Sequence, residues 1–243
     1  MMEKMPAWAD VVLVPLISLL LAAAISALVI MGIGEDPMAA VKMMVSGALG
    51  STYGWGYTLY YATNFMFTGL AVSVAFHAKM FNIGGEGQAM IGGLGVALMA
   101  LFIPWQHWSL ALIFCSIGGA VFGALWAFIP AILQAKRGSH IVITTIMFNF
   151  MAAALLNYLL VSILRPVKSM DPATASFPEP THLPTLHDIL MPLGIEFSKS
   201  APANVSLLLA LAAAVFVWVL IWRTRLGYAL RAFGHSDTAA QYA

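Results

Sequence analysis

Residues 87–135, GQAMIGGLGVALMALFIPWQHWSLALIFCSIGGAVFGALWAFIPAILQA, contain no Asp, Glu, Lys or Arg. One helical crossing of a bilayer needs about 20 consecutive apolar residues, so this stretch supplies two crossings, divided by Pro104, Trp105, Gln106, His107 and Trp108. Windows 11–34, 43–78, 138–164 and 200–222 are equally free of charge. Together they place spans at about 11–33, 57–77, 88–103, 109–132, 141–164 and 205–222. Ala, Leu, Val, Ile, Phe and Met dominate all six, without the alternation of an outer-membrane barrel. The fold class expected is all-α: a polytopic transmembrane helical bundle of about six spans, carried as a single domain over residues 1–243. Of the 243 residues, 61% are apolar and 9% charged, against roughly 25% charged in a soluble domain. That balance excludes a soluble enzyme, a nucleic-acid binder and a disulfide-stapled secreted domain. The single cysteine, Cys115, cannot form an intrachain disulfide.

The apolar run 11–33 is longer than the 7–15 residues of a signal-peptide core and lacks a basic flank, so it reads as a retained span. Residues 35–55, Gly- and Ser-rich but apolar, suit an interfacial or re-entrant helix. Lys and Arg in short loops mark the cytoplasmic side. Lys136 and Arg137 fall on one side with Arg223, Arg225 and Arg231, and Lys79 and Lys4 agree with them. Segment 165–204 then lies outside as an extracytoplasmic loop; it holds seven of the twelve prolines. Trp55, Trp105, Trp108 and Trp222 sit near span ends, as interfacial anchors do. Gly119 and Gly123, with Gly92, Gly93 and Gly95, read as positions of close helix contact.

Residues 82–88, NIGGEGQ, form the strongest polar cluster. Three glycines in four residues disfavour a helix interior by about 1 kcal/mol each, which predicts a broken helix near 82–88. Discontinuous helices free backbone groups to meet a ligand in transporters. On that reading Asn82, Gly84, Gly85, Glu86, Gly87 and Gln88 line a substrate pathway. A solvated turn between two spans fits the same residues equally well. A second polar feature runs along span five, where Thr145, Asn149, Ala153 and Asn157 recur every four residues and share a helix face. It suits either a pathway lining or hydrogen bonds between helices. No phosphate-binding loop is present, because G-x-x-x-x-G-K-[ST] is absent. The six histidines lack metal-ligand spacing, and no catalytic set is found. No metal, cofactor or enzymatic activity is expected. After three arginines the tail breaks at Gly234 and restarts as a short helix with small residues, which suits a partner's groove or a helix lying at the membrane surface.

Residues 81–88 (FNIGGEGQ), 144–149 (TTIMFN) and 224–234 (TRLGYALRAFG), with Ala239 and Ala240, occur together and in order. In this the chain resembles the ATP-binding-cassette importer permeases of the branched-chain amino acid and simple-sugar superfamily, above all the longer of the two nucleoside and simple-sugar uptake permeases. The resemblance implies a translocation pathway for a nucleoside or simple sugar in the bacterial inner (plasma) membrane. It also implies a partner ATPase that carries out hydrolysis, a second permease subunit, an extracytoplasmic substrate-binding protein and contact with membrane lipid, with no nucleic acid involved. Asn82, Glu86 and Gln88 would lie on the broken-helix part of the pathway, with Thr145 and Asn149 on a neighbouring helix. Gly227, Arg231, Gly234, Ala239 and Ala240 would belong to a cytoplasmic segment, 223–243, that couples to the ATPase. Relatives usually continue with further spans, so a C-terminally incomplete copy is expected. The alternative is an ion-coupled secondary transporter or channel using Glu86, the only acidic residue between Asp36 and Asp171.

Overall fold

The computed structural model describes residues 8–240. Six helices are long and apolar enough to cross a membrane, and the chain is a multi-pass membrane protein. A π-helical turn, Ala9–Leu13, leads into α1 (Val14–Ile33), followed by α2 (Pro37–Leu49), α3 (Thr52–His77), α4 (Gly85–Phe102), α5 (Trp108–Arg137) and α6 (Ile141–Ser162). After a loop come α7 (Leu186–Leu190), α8 (Ser206–Arg223), α9 (Arg225–His235) and α10 (Asp237–Ala240). Two compact units divide the chain, Met1–Thr58 and Leu59–Ala243.

In the first unit, Asp36 ends the turn after α1 by accepting from the Met38 N–H at 2.9 Å, with Pro37 preset for the first helical position. The acid is therefore a helix cap. The apolar stretch 35–55 resolves into α2 and the start of α3, separated at Gly50 and Ser51. Ser51 causes the restart, because its Oγ accepts from the Gly54 N–H at 3.0 Å and caps α3. The second span consequently begins at Thr52, five residues earlier than its hydropathy suggests.

In the second unit, α4 is the most enclosed candidate span, with 33% of its apolar window buried against 6% for α5. Small residues allow this. A Cβ on Gly95 would lie 2.5 Å from the Gly118 carbonyl oxygen, and one on Gly92 3.1 Å from the Gly119 carbonyl oxygen. A Cβ on Gly123 would lie 3.3 Å from the Gln88 carbonyl oxygen. The pairing runs antiparallel along a seam in which backbone meets backbone. In a membrane such contact replaces the hydrophobic drive that apolar side chains lack there. Gly93 stands outside the seam, with nothing within 4 Å of its Cβ position, whereas Gly118 belongs to it. α5 closes on Gly138, whose φ of 64° is left-handed, after Lys136 and Arg137 in the last turn. Trp126 of α5 donates to the Phe148 carbonyl at 3.2 Å, tying α5 to α6.

The loop between α6 and α8 folds on itself. Thr185 bridges Asn204 in antiparallel pairing, the only β pairing among the described residues. The Thr185 hydroxyl and N–H both donate to the Asp188 carboxylate, at 2.8 and 3.0 Å, and the Asp188 N–H returns a bond to Thr185. These bonds hold the Asp188 carboxyl below the usual carboxylate range. Their contribution to the loop is present above the ordinary carboxylate pKa and is lost as pH falls through the lowered one.

The seam yields a paired expectation. Gly95→Ala forces a methyl onto the Gly118 carbonyl and Phe122, an overpacking that costs about 1–3 kcal/mol. Gly93→Ala enters open space and gains about 0.5–1 kcal/mol of helix propensity. Thermal unfolding of the two variants in detergent should bracket the parent chain, Gly95→Ala below it and Gly93→Ala at or above it.

Candidate functional site

α3 gives way to a turn at Ala78 to Met80, where Lys79 takes a left-handed φ of 53° and the Met80 N–H returns to the Ala75 carbonyl at 3.0 Å. The chain then runs without helix through residues 81–84 before α4 begins at Gly85. The break therefore precedes most of the glycines. Gly85 and Gly87 lie in the first turn of α4, where N–H groups have no intrahelical acceptor and a glycine does least harm.

Side chains meet two of the free groups, the Gly84 and Gly87 N–H. Asn82 Oδ1 accepts from the Gly84 N–H at 2.9 Å, closing an Asx turn just before the helix. The Asn82 and Gln88 carboxamides bond reciprocally, each donating to the other at 3.2 Å. From α6, Asn149 Oδ1 accepts from the Gly87 N–H at 2.9 Å, while its Nδ2 donates to the Ile83 carbonyl at 2.9 Å. One carboxamide thus holds both the last irregular residue but one and the first helical turn. Thr145, one turn earlier on α6 and only 2% exposed, donates to the Ile141 carbonyl at 2.7 Å and packs its Cβ against Gly84.

Glycine is required here for close approach. A Cβ on Gly87 would lie 3.0 Å from Asn149 Cα, Asn149 Oδ1 and the Phe148 carbonyl oxygen. A Cβ on Gly84 would lie within 3.1 Å of Asn82, Gln88 and Thr145. Gly85 meets nothing within 4 Å and takes no part in the packing. Glu86 is exposed and faces a groove of about 510 Å³, lined also by Thr68, Phe76, Phe81 and Asn82. Phe76 and Phe81 meet edge to face there, with centroids 5.2 Å apart.

Of the stripe on α6, Asn149 reaches α4 and Thr145 the preceding Gly84, whereas Ala153 and Asn157 are exposed. Four-residue steps drift around a helix with 3.6 residues per turn, and the buried line shifts to Ala152, which is 0% exposed. Ile83 escapes any motif reading, because it contributes a backbone carbonyl and no side-chain signal. Among the described residues no three His, Cys, Asp or Glu side chains gather as metal ligands.

A second constellation surrounds α9. Thr224 separates it from α8, its hydroxyl donating to the Leu220 carbonyl and accepting from the Gly227 N–H at 3.1 Å. Gly227 lets α9 fold back over α8, since a Cβ would overlap the Leu220 and Ile221 carbonyl oxygens. Gly234 does the same against the end of α3, where a Cβ would overlap the His77 carbonyl oxygen. The helix accordingly runs past Gly234 to His235 and breaks at Ser236, correcting the break expected at Gly234: the glycine serves contact. Arg231, on the same face as both glycines, stacks over Trp222 at 4.6 Å. Ala239 and Ala240 lie in α10.

Removing Asn149 should open the break. Asn149→Leu leaves the Gly87 N–H and Ile83 carbonyl without partners, a loss of about 1–3 kcal/mol. Amide hydrogen exchange of residues 83–88 should quicken roughly tenfold or more while α8 and α9 exchange as before; unchanged protection of Gly87 would refute the latch.

A family profile described as branched-chain amino acid transport system / permease component matches residues 54–243. The chain is 34% identical over 236 residues to a guanosine ABC transporter permease protein of Bacillus subtilis, covering 95% of this chain and 64% of that relative. It is 33% identical to a glucose ABC transporter permease protein of Haloferax volcanii, covering 94% and 60%, respectively. A nucleoside ABC transporter permease protein of Lactococcus lactis is 30% identical, with 96% and 63% covered. The chain thus spans a little under two thirds of the length of these relatives. No solved structure matches. With its profile covering most of the chain and both amide-bearing motifs meeting at one latch, the chain belongs to the branched-chain amino acid transport system permease family.

Proposed function

We propose that this chain is a permease subunit of an ATP-driven importer and forms part of the pathway for a nucleoside or simple sugar. The carrying observation is the meeting of residues 82–88 with Thr145 and Asn149, which makes the helix break a fixed structure beside an open groove. Asn82, Gly84, Gly85, Glu86, Gly87, Gln88, Thr145 and Asn149 belong to this pathway region. The relatives named for guanosine, glucose and nucleosides share polyhydroxylated cargo, which an exposed carboxylate such as Glu86 accepts hydrogen bonds from and which aromatic edges such as Phe76 and Phe81 can flank.

The chain itself supplies translocation, and hydrolysis takes place on a partner ATPase. The remaining partners are a second permease subunit and an extracytoplasmic binding protein, in a bacterial inner membrane. Residues 165–204 face outward and 223–243 face the cytoplasm. There Gly227, Arg231, Gly234, Ala239 and Ala240 transmit ATPase motion to the spans, a rocking of packed elements about the pathway. The matched relatives are ATP-binding-cassette permeases, which gives the ion-coupled alternative for Glu86 no support.

Co-reconstitution with an ATPase and a binding protein tests the reading. Uptake should stop with a hydrolysis-deficient ATPase even when a proton or sodium gradient is imposed; persistence of gradient-driven uptake would overturn it. Gly234→Leu, which cannot keep α9 against the His77 carbonyl, should lower ATP-driven uptake at least tenfold while binding-protein affinity for substrate stays unchanged.

A further inference from the structure

A groove of about 580 Å³ opens where α3 and α8 end and α9 crosses them, lined by Phe76, His77, Lys79, Trp222, Tyr228 and Arg231, among others. Its depth is defined by the chain. Candidate membrane spans terminate at His77 and Arg223, so the groove stands where hydrocarbon gives way to headgroups. Trp and Tyr favour that level, and Trp222 and Tyr228 are both about half exposed there.

Its charge is one-sided. Lys79 and Arg231 line it, and no carboxylate does among the described residues. Arg231 lines the groove with its guanidinium stacked on Trp222, and a planar, multidentate donor held in this way suits phosphate oxygens. Lys79 is held in a left-handed conformation, φ 53°, that glycine would occupy without strain. α9 carries a second mark of the interface. Beside the face that packs on the protein, Leu226, Leu230 and Phe233 form an apolar stripe, with Leu226 60% and Phe233 39% exposed.

We infer that this groove binds the headgroup of an anionic phospholipid, its phosphate between Arg231 and Lys79 and its glycerol and upper acyl chains along Phe76 and Trp222. Occupancy clamps α9 to the end of α3. A zwitterionic headgroup brings an ammonium to a pocket whose described lining offers it no carboxylate, so the site discriminates by charge. The inference rests on the proposed cytoplasmic placement of this end, the leaflet whose surface attracts basic segments.

The full chain in nanodiscs of equal phosphatidylglycerol and phosphatidylcholine, analysed by native mass spectrometry, should retain phosphatidylglycerol preferentially. Lys79→Gln and Arg231→Gln should each reduce that preference about fivefold, and the pair more, from the strength of one basic residue near an anionic surface. A measurement on the unmodified chain guards against misfolded variants. Phosphatidylglycerol with brominated tails should quench tryptophan fluorescence more than the brominated choline lipid, with the difference reduced in Trp222→Phe. Soluble glycerophosphate at millimolar concentration should not displace the lipid. Equal retention of the two lipids, full preference in the double variant, or displacement by glycerophosphate would each overturn the assignment. The first two would leave the groove to a partner's acidic side chain, and the third to a free anion. Neither ATPase nor nucleotide is present, so this result is separable from the transport test. Labelling of Lys79→Cys in a Cys115→Ala background by an impermeant maleimide tests the placement independently, since labelling from outside would overturn the cytoplasmic reading.

Discussion

Backbone polar groups near a bilayer must find partners within the protein, because hydrocarbon offers none. Wherever this chain leaves helical geometry between α3 and α4, that constraint has to be met. The Asn149 carboxamide meets it from a different helix, accepting from Gly87 and donating to Ile83. The Asx turn takes the Gly84 N–H, and the Asn82–Gln88 pair ties the two flanking carboxamides to each other. Through these bonds a connection that composition marks as loose becomes a defined corner, and the groove bearing Glu86 acquires a fixed wall.

The same economy of side chains recurs at the helix crossings. Gly92, Gly95, Gly118 and Gly119 bring α4 and α5 into backbone contact, and Gly227 and Gly234 do so for α9 against α8 and α3. Thr224 resolves the α8–α9 turn with one hydroxyl acting as donor and acceptor. In each case a small or short polar residue stands where a larger apolar one would gain nothing from leaving lipid.

Much of this was legible in the residues. Gaps in charge located the six spans to within a few residues, because the membrane imposes length and composition directly. The Ser51 boundary escaped hydropathy since residues on both sides of it are apolar, and only a hydroxyl cap separates two helices there. At the site, Asn82, Gln88 and Asn149 announced themselves as costly polar groups, whereas Ile83 acts through its carbonyl and has no side-chain signature. Gly85 and Gly93 show the converse: both belong to glycine-rich runs, yet both face open space. Composition registers where glycines are, but the facing helix decides which of them are needed. The groove at α9 was hidden for a related reason, since Lys79, Trp222 and Arg231 come from three separated segments.

The seam between α4 and α5 also bears on how the unit can deform. Carbonyl oxygens face the positions that side chains would fill, and Val96, Met99 and Phe122 close in beside them, so little free volume is left along the seam for one helix to shift against the other. α4 and α5 therefore behave as one stiff beam. A displacement of α4 is then shared by α5, and it reaches α6 through the Asn149 carboxamide, the Trp126–Phe148 bond and the close packing of Gly87 on Asn149.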